Sequence, residues 1–210
     1  KAEVIYFKFT LGSWTKVECN LQGEDIENRS LDTSAQTYYR GNIASWKILQ
    51  HTPQKSTASP HVLVLEDSLF MQSLKRYRTI RVYLPPDYEQ SHRKYPVLYM
   101  HDGQNLFDQL TAYSQEWGID EIMDTAFAQN TKNACIIVGV DNGEQKRIDE
   151  YSPWLNTKYG GGEGAEYVDF LVHQLKPFID QNFRTKPQTK HTGIMGSSMG
   201  GLISFYAGME

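Results

Sequence analysis

The hydrophobic pattern of the chain changes near residue 60, and this change divides the chain into two predicted parts. From residue 1 to about residue 49, short apolar runs alternate with turn residues, and the spacing of three and four residues that marks a helix is absent. The clearest predicted strand in this part covers residues 4–9. We therefore expect the first part to be all β, with the strands of a partial β-sandwich.

Residues 51–60 separate the two parts. Their sequence, His-Thr-Pro-Gln-Lys-Ser-Thr-Ala-Ser-Pro, is rich in Pro, Ser and Thr and has no apolar period. This composition is typical of a linker. The predicted organisation is a partial sandwich over residues 1–50, a linker over residues 51–60 and a second domain over residues 61–210.

The second part alternates predicted strands with predicted helices. The strand candidates cover residues 62–65, 70–74, 79–84, 97–100, 134–140 and 191–195, and the helix candidates cover residues 116–128, 166–183 and 202–207. The last three strands are apolar enough to be buried on both faces, as in a parallel sheet. The second helix has an apolar stripe, and Pro177 is expected to interrupt and bend it. The pattern predicts an α/β domain with a mainly parallel sheet, preceded by antiparallel strands.

A small-residue turn joins the last predicted strand to the last predicted helix. Its sequence, Gly196-Ser197-Ser198-Met199-Gly200, has the G-x-S-x-G pattern in the strand–turn–helix context of a nucleophile elbow. We expect Ser198 on a strained turn that lifts its hydroxyl clear of the sheet, with a glycine on each side to avoid collisions. The helix N-terminus behind it would place partial positive charge near an oxyanion. The pattern alone is equally compatible with a Gly/Ser loop that enters an ordinary helix.

A second polar segment follows the fourth predicted strand of this part. In an α/β hydrolase this loop supplies one amide of the oxyanion hole and the residue after the nucleophile supplies the other, so the candidates are the backbone N–H groups of Gln104 and Met199. We expect His101 to support this loop, and less favourably to act as a base. A metal site made of His101, Asp102 and Asp108 is an alternative that no further His/Asp spacing supports.

The long segment from residue 141 to residue 165 is expected to form a flexible lid or rim beside the site. Tyr151 and Trp154 are candidates for the pocket wall, or for packing the loop down. Arg147 and Glu150 are candidates for a substrate contact or for a structural ion pair with each other.

Composition removes several classes of function. The chain has 210 residues and a net charge of −4, so nucleic-acid binding is not expected. No apolar run approaches membrane-spanning length, so a membrane partner is not expected either. The basic run at residues 75–78 is predicted to be a solvated strand edge, and Cys19 and Cys135 are predicted to be free thiols. The glycine-rich run at residues 160–164 lacks the context of a phosphate loop, and no cofactor is predicted.

Five segments of the second part together resemble the putative-esterase family of α/β hydrolases. They are Val-Tyr-Leu-Pro at residues 82–85, the polar run at 101–108, Val-Gly-Val-Asp-Asn-Gly at 138–143, Glu-Tyr-Ser-Pro at 150–153 and the elbow at 196–201. That family includes feruloyl and acetylxylan esterases, enterobactin-type siderophore esterases and S-formylglutathione hydrolases. The resemblance covers roughly residues 62–210. It implies an α/β-hydrolase fold and a serine hydrolase that cleaves small-molecule or carbohydrate esters through an acyl-enzyme on Ser198, with an acyltransferase as the alternative.

The first part has a looser resemblance. Residues 7–14, with Asn-Arg-Ser at 28–30, resemble the end of a starch-binding-type carbohydrate-binding module, a module found ahead of esterase domains. This implies that Trp14 and Trp46 are sugar-stacking platforms, although a buried core tryptophan is the more frequent role. It also favours a secreted or periplasmic protein, and it leaves the oligomeric state open. The rival to an enzyme is a non-catalytic glycan-binding protein that keeps the hydrolase fold.

The histidine and the acid of a catalytic triad are not identifiable in the chain. In this fold they follow the nucleophile, and the residues after Ser198 include neither His nor Asp. His191 starts the strand that leads to the elbow, about 23 Å away at the rise of a strand, so it is too distant to be the base. Only His101 is expected near the elbow. We therefore expect the chain to be a fragment that lacks the final strands of the domain.

Overall fold

The chain folds into two compact units, Lys1–Gln54 and Lys55–Glu210. The computed structural model describes residues 4–12, 14–35, 37–47, 55–65 and 68–210. The division falls inside the predicted linker. Residues 51–54 of that linker lie outside the described residues, whereas residues 55–60 belong to the second unit.

The first unit consists of two small antiparallel sheets. Its strands are β1 (Val4–Phe7), β2 (Glu18–Cys19), β3 (Arg29–Asp32) and β4 (Ser45–Trp46), and a 3-10 turn covers Trp14–Lys16. Strand β1 pairs with β3, and β2 pairs with β4. The Glu18 side chain is fully buried and lies 2.6 Å from Arg29 Nη2. Arg29 also donates to the Tyr39 hydroxyl and lies over the Phe9 ring.

The two tryptophans of this unit are not equivalent. Trp14 is 76% exposed, so a role in the core is wrong for it. It lies in a short 3-10 turn, Trp14–Lys16, outside the strands of the two small sheets. Trp46 lies in β4 and is half-buried.

A mixed five-stranded sheet forms the centre of the second unit. The strands of the unit, inside and outside this sheet, are β5 (Val62–Val64), β6 (Leu69–Met71), β7 (Arg76–Arg78), β8 (Ile80–Tyr83), β9 (Val97–His101), β10 (Ile136–Val140) and β11 (Thr192–Met195). Its α-helices are α1 (Ile119–Gln129), α2 (Arg147–Tyr151), α3 (Gly164–Phe170), α4 (Lys176–Asn182) and α5 (Met199–Ala207). The sheet order is β11-β9-β10-β8-β5, and β6 pairs with β7 outside it.

The prediction of a mainly parallel sheet is only partly correct. Strands β11, β9 and β10 are parallel, but β8 and β5 join the same sheet antiparallel. The connections explain the difference. Helix α1 carries the chain from β9 back to the start of a parallel β10, whereas no helix lies between β5 and β8 among the described residues.

Helices cover both faces of the sheet. On one face, residues such as Val138 of β10 pack with side chains of α3, α4 and α5, among them Phe170, Ile179 and Ile203. On the other face, Ile137 and its neighbours pack with the start of α1. Every residue of β10 is buried, which is the pattern predicted for a strand in the middle of such a sheet.

The predicted helix over residues 166–183 is not a uniform α-helix. A π-helical stretch, Leu171–Leu175, lies between α3 and α4, and Pro177 follows it in the first turn of α4. Proline has no N–H to donate to the carbonyl four residues earlier, so a regular α-helix cannot continue through this position. The apolar stripe is still buried, with Tyr167, Phe170 and Leu175 fully covered.

The basic run at residues 75–78 is not a solvated strand edge. Arg78 is 4% exposed, and its Nη2 donates to both carboxylate oxygens of Glu150 at 2.6 and 2.7 Å. Arg76 bonds to Glu150 and Glu163, while Tyr77 is 70% exposed. The alternation of a β-strand places the two arginines on one face and Tyr77 on the other.

Both cysteines are free thiols, as predicted. Burial raises the pKa of the Cys135 thiol to about 11, so this thiol is protonated and unreactive at neutral pH.

Among the helices that the structure describes, none is long and apolar enough to cross a membrane.

Candidate active site

Ser198 lies on a sharp turn between β11 and α5. Its backbone has φ 54° and ψ −121°, a region that residues other than glycine rarely adopt. The residue is exposed. The predicted strained strand-to-helix turn is therefore confirmed, and so is the exposure of this serine.

The glycines around Ser198 are required by close approaches of the backbone. A Cβ on Gly196 would lie 2.5 Å from the carbonyl carbon of Gly200, which is closer than real Cβ contacts come. A Cβ on Gly200 would lie 3.0 Å from the Cβ of His101, at the end of β9. The turn therefore packs directly against its own helix and against the neighbouring strand.

The two candidate oxyanion amides belong to segments that follow β9 and β11 at the same edge of the sheet. Met199 is the first residue of α5, and the N–H groups of a first helical turn have no partner within the helix. Gln104 lies in a 3-10 turn, Gly103–Asn105, that directly follows β9. Strand β9 is the parallel neighbour of β11, with Met100 opposite Met195. The topology thus brings both loops to the carboxyl ends of adjacent strands, as α/β-hydrolase geometry requires.

His101 lies beneath the turn and is fully buried. Its Nδ1 is 3.3 Å from the Ser204 Oγ, and its ring centre lies 5.2 Å from that of Tyr151. Burial lowers the pKa of His101 to about 4, although the nearby Asp102 carboxylate opposes this shift. The imidazole is therefore neutral at neutral pH. Among the hydrogen bonds of the described residues, none joins His101 to Ser198.

Of the other histidines that the structure describes, two are paired with carboxylates. His61 is paired with Asp124, and His173 is paired with Asp169. His191 ends a short 3-10 turn, Thr189–His191, at the start of β11, and His51 lies outside the described residues.

A charged clamp holds Asp102 beside the elbow. Arg147 binds Asp102 through two parallel bonds, Nε to Oδ1 at 2.6 Å and Nη2 to Oδ2 at 3.0 Å. The Asn142 side chain donates a third bond to Oδ1 at 2.7 Å. Asp102 is 6% exposed, and one of its oxygens would lie 3.8 Å from a Cβ on Gly200. The bond to Asp102 raises the pKa of Arg147, so this guanidinium stays ionised at neutral pH.

The predicted ion pair between Arg147 and Glu150 is therefore wrong. Arg147 turns to Asp102, and Glu150 turns to Arg78. Residues three apart on a helix can meet, so the reason lies in the partners that other elements supply. Asp102 follows β9 and binds Arg147 at the cleft, whereas Arg78 of β7 binds the buried Glu150.

Two of the predicted pocket residues do not reach the surface. Glu150 and Tyr151 are fully buried, so neither contacts a substrate in this arrangement. Trp154 is 61% exposed, and its ring packs edge-on against Tyr206 with the ring centres 6.2 Å apart. Arg147 does border open space. Its guanidinium also lies 5.2 Å from the centre of the Tyr151 ring.

A polar cleft of about 980 Å³ opens beside the elbow. Its lining side chains are mostly amides, hydroxyls and paired charges: Arg81, Asp102, Gln104, Asn105, Thr111, Tyr113, Asp141, Asn142, Glu144, Gln145 and Arg147. Ser198 is not part of this lining, and the cleft meets the elbow through Asp102. The pair Arg81–Asp141, with Nε 2.8 Å from Oδ1, was missed from the sequence because its partners lie far apart in the chain.

The side chains suggested for a metal site have separate partners. His101 bonds to Ser204, Asp102 to Arg147 and Asp108 to Ser56. Within the described ranges, no group of three or more His, Cys, Asp or Glu side chains is arranged to hold a metal ion.

Comparisons with known proteins agree with this geometry. Residues 71–210 match the family model described as Putative esterase. The uncharacterized protein YbbA of Bacillus subtilis is 30% identical over 136 residues, which cover 62% of this chain and 50% of that protein. The chain spans about half the length of the first curated relatives it matches.

Solved structures of a hydrolase and an esterase are also similar to this chain. An IroE-like serine hydrolase from Shewanella oneidensis is 28% identical with a TM-score of 0.53, over 70% of this chain and 45% of that one. A ferulic acid esterase is 26% identical with a TM-score of 0.52, over 70% of this chain and 55% of that one. Because the family model spans nearly all of the second unit and its hydrolase relatives share the fold, the chain belongs to the Putative esterase family and has an α/β-hydrolase-like fold.

Proposed function

We propose that the second unit is a serine carboxylic-ester hydrolase with Ser198 as its nucleophile. The observation that supports this most directly is the strained, exposed turn of Ser198 at the N-terminus of α5. Backbone strain at a non-glycine residue is costly, and it is found at sites where function requires it. Membership of an esterase family supplies the reaction class.

The reaction follows the order of acyl transfer. The Ser198 oxygen forms a bond to the ester carbonyl carbon, and the carbonyl electron pair moves onto the carbonyl oxygen. When that pair returns, the bond to the alkoxy oxygen breaks, and the alcohol leaves with the proton that the Ser198 hydroxyl gives up as its oxygen bonds to carbon. Water then attacks the acyl-enzyme in the same way, which releases the acid and restores Ser198.

The oxyanion is the species that the site is proposed to stabilise. The N–H groups of Met199 and Gln104 donate to it, and the N-terminus of α5 adds partial positive charge. His101 supports the loop after β9 from below through its packing against Gly200 and its bond to Ser204. In this assignment His101 is not the base, because its ring is buried beneath the turn rather than beside the Ser198 hydroxyl.

We propose that the polar cleft receives the larger, hydroxylated part of the ester. Gln104, Asn105 and Asn142 offer both donors and acceptors to hydroxyl groups, and Tyr113 is 94% exposed at the rim. Ferulate esters of sugars and siderophore-type esters are suitable test substrates, since one solved neighbour is a ferulic acid esterase. Arg147 would contact this part of the substrate only through donors that Asp102 leaves free.

The test compares turnover of p-nitrophenyl acetate by the product of the complete gene and by its Ser198→Ala variant. We expect Ser198→Ala to lower kcat by about 10³-fold or more, because removal of a nucleophile abolishes the covalent route. Ser197→Ala is the matched control, since it removes a neighbouring exposed hydroxyl, and its kcat should stay near wild type. A Ser198→Ala variant with the kcat of the wild type would refute the proposal. Transfer of the acyl group to an added alcohol in preference to water would indicate an acyltransferase.

We propose glycan binding as a second function, located in the first unit. The observation that favours it is the exposed indole of Trp14, since a solvent-facing aromatic ring is suited to stacking on a sugar. The test measures binding of soluble starch by wild type, Trp14→Ala and Trp46→Ala. We expect Trp14→Ala to weaken binding by about tenfold, as for an aromatic hot spot, and the half-buried Trp46 to contribute less. Absence of glycan binding by wild type would overturn this second function without affecting the first.

A further inference from the structure

Residues 55–59, which we call the strap, are bonded to the loop region that follows β9. Ser56 Oγ donates to Asp108 Oδ2 at 2.6 Å. Thr57 Oγ1 donates to Glu116 Oε2 at 2.8 Å and accepts from the Gln109 N–H at 2.9 Å. The segment was predicted to be a linker, but these contacts tie it to the second unit.

The segment that the strap holds folds back onto Gln104. Thr111 Oγ1 donates to the Gln104 carbonyl at 2.8 Å. The N–H groups of Tyr113 and Trp117 donate to Asn105, at 2.9 Å to its side chain and at 2.8 Å to its carbonyl. A chain of bonds therefore runs from the strap through residues 109–111 to the residue proposed to donate to the oxyanion.

The strap bonds matter because this segment has no regular structure of its own. No helix or strand covers residues 106–118, so side chains must satisfy many of its backbone groups. Thr57 has a central place among them, because its single hydroxyl serves both Gln109 and Glu116. Both bonds are exposed, so after loss of this hydroxyl the Gln109 N–H and the Glu116 carboxylate bond to water and no longer tie the loop to the strap.

We propose that Thr57 is a positioning residue for the oxyanion hole. By fixing residues 109–111, it holds the Gln104 carbonyl through Thr111. The Gln104 N–H lies in the preceding peptide plane, so this bond restrains its direction through the backbone dihedral angles of Gln104. This inference rests on the proposed esterase function. It assigns Thr57 no contact with the substrate, so its effect falls on the stability of the transition state rather than on substrate binding.

The first test measures hydrogen exchange in the 210-residue chain. Thr57→Val keeps the shape of the side chain and removes the hydroxyl, and we expect amides in residues 109–113 to exchange about five- to tenfold faster, as for the loss of one hydrogen bond. Thr57→Ser restores the hydroxyl and should exchange like wild type. Ser73→Ala, which removes a comparable exposed hydroxyl bond to Asp169, is the matched control and should leave residues 109–113 unchanged. Unchanged exchange in Thr57→Val would overturn the inference.

The second test measures p-nitrophenyl acetate hydrolysis by the product of the complete gene. We expect Thr57→Val to lower kcat about tenfold, a part of the 10²–10³-fold loss seen when an oxyanion donor is removed outright, with KM within about twofold of wild type. Thr57→Ser should recover the wild-type kcat. Ser56→Ala removes the bond to Asp108 and the bond from the Ala58 N–H, but neither bond to Thr57, and should have a smaller effect. This variant keeps the test valid if Thr57→Val folds poorly.

The outcomes separate this inference from the function on which it rests. If the wild type shows no ester turnover, or turnover that Ser198→Ala leaves unchanged, the esterase proposal is refuted and the positioning role with it. An active wild type whose kcat is unchanged by Thr57→Val would refute the positioning role alone. A rise in KM with an unchanged kcat would also overturn it, since that result assigns Thr57 to substrate binding.

Discussion

At the scale of single residues, the elbow is defined by contacts that leave no space for a side chain. Ser198 has a left-handed φ, and a Cβ on Gly196 would lie 2.5 Å from the Gly200 carbonyl carbon and oxygen. This contact is with backbone, which cannot rotate away as a flexible side chain can. The turn must shift as a whole if either glycine is enlarged.

We expect Gly196→Ala to destabilise the protein by about 1–3 kcal/mol, the usual cost of an added methylene in a tightly packed place. Gly208→Ala is the matched control, because its Cβ would meet ordinary contacts of 3.5 and 3.6 Å at the end of α5. Urea unfolding of the two variants and of wild type checks this expectation. A Gly196→Ala variant as stable as Gly208→Ala would show that the turn relaxes at little cost.

His101 gives a prediction about pH. Burial lowers its pKa from 6.5 to about 4 in the folded chain, against the opposing effect of Asp102 and with the help of Arg147 and Arg78. The unfolded chain therefore binds a proton between these two pH values and the folded chain does not. It follows that the contribution of His101 to the free energy of unfolding falls by up to about 3 kcal/mol as the pH decreases from about 6.5 to about 4. Below that pH its contribution stays constant.

Urea unfolding of wild type and His101→Gln at about pH 7 and about pH 5 tests this pH dependence. The glutamine variant lacks the titrating ring, so its stability should fall less over this range. The difference between the two proteins isolates the contribution of His101 from those of the carboxylates. Identical pH profiles would show that His101 keeps an ordinary pKa in the folded chain.

At the scale of elements, a buried charge cluster joins the β6–β7 hairpin to helix α2. Glu150 on α2 is fully buried and receives bonds from Arg78 and Arg76, both on β7. Helix α2 also carries Arg147, which clamps Asp102 at the elbow. The hairpin therefore stabilises, through α2, the side of the cleft that lies next to the candidate site.

We expect Glu150→Gln to destabilise the protein by about 3 kcal/mol, because it leaves the buried Arg78 guanidinium without its counter-charge. Asp169→Asn is the control, since its ion pair with His173 is exposed and such pairs contribute about 1 kcal/mol or less. Thermal unfolding of both variants checks the difference. Equal effects would indicate that water or another group compensates for the lost carboxylate.

At the scale of the whole molecule, Ser198 and its candidate oxyanion donors lie at the carboxyl ends of adjacent strands, but no histidine in the described ranges hydrogen-bonds to Ser198. A serine without a base is a weak nucleophile. We therefore expect the 210-residue chain by itself to hydrolyse p-nitrophenyl acetate only at a residual rate, roughly 10³–10⁴-fold above water, as the oxyanion hole and binding alone provide. Fast turnover that both Ser198→Ala and His101→Ala abolish would instead assign the base to His101.

Most elements of the second unit were predictable, because each one has its own local signal. The alternation of buried strands and helices, the glycine pattern of the elbow and the polar run after β9 can all be recognised in short windows of sequence. The helix within residues 147–151 was missed, because five residues are too few for a clear helical period. The antiparallel strands were expected before the sheet rather than within it, because the sheet order has no local signal.

The sequence by itself indicated the family and the candidate nucleophile, since Ser198 and its glycines lie within one turn and their steric demands are local. Tertiary structure decided which charges pair. Arg147 joins Asp102 and Arg78 joins Glu150 across 45 and 72 residues. It also brought Ser56 and Thr57 into hydrogen-bonding distance of the loop after β9. The physical reason is that ion pairs and side-chain hydrogen bonds depend on distance in space, and only the folding of the sheet sets that distance.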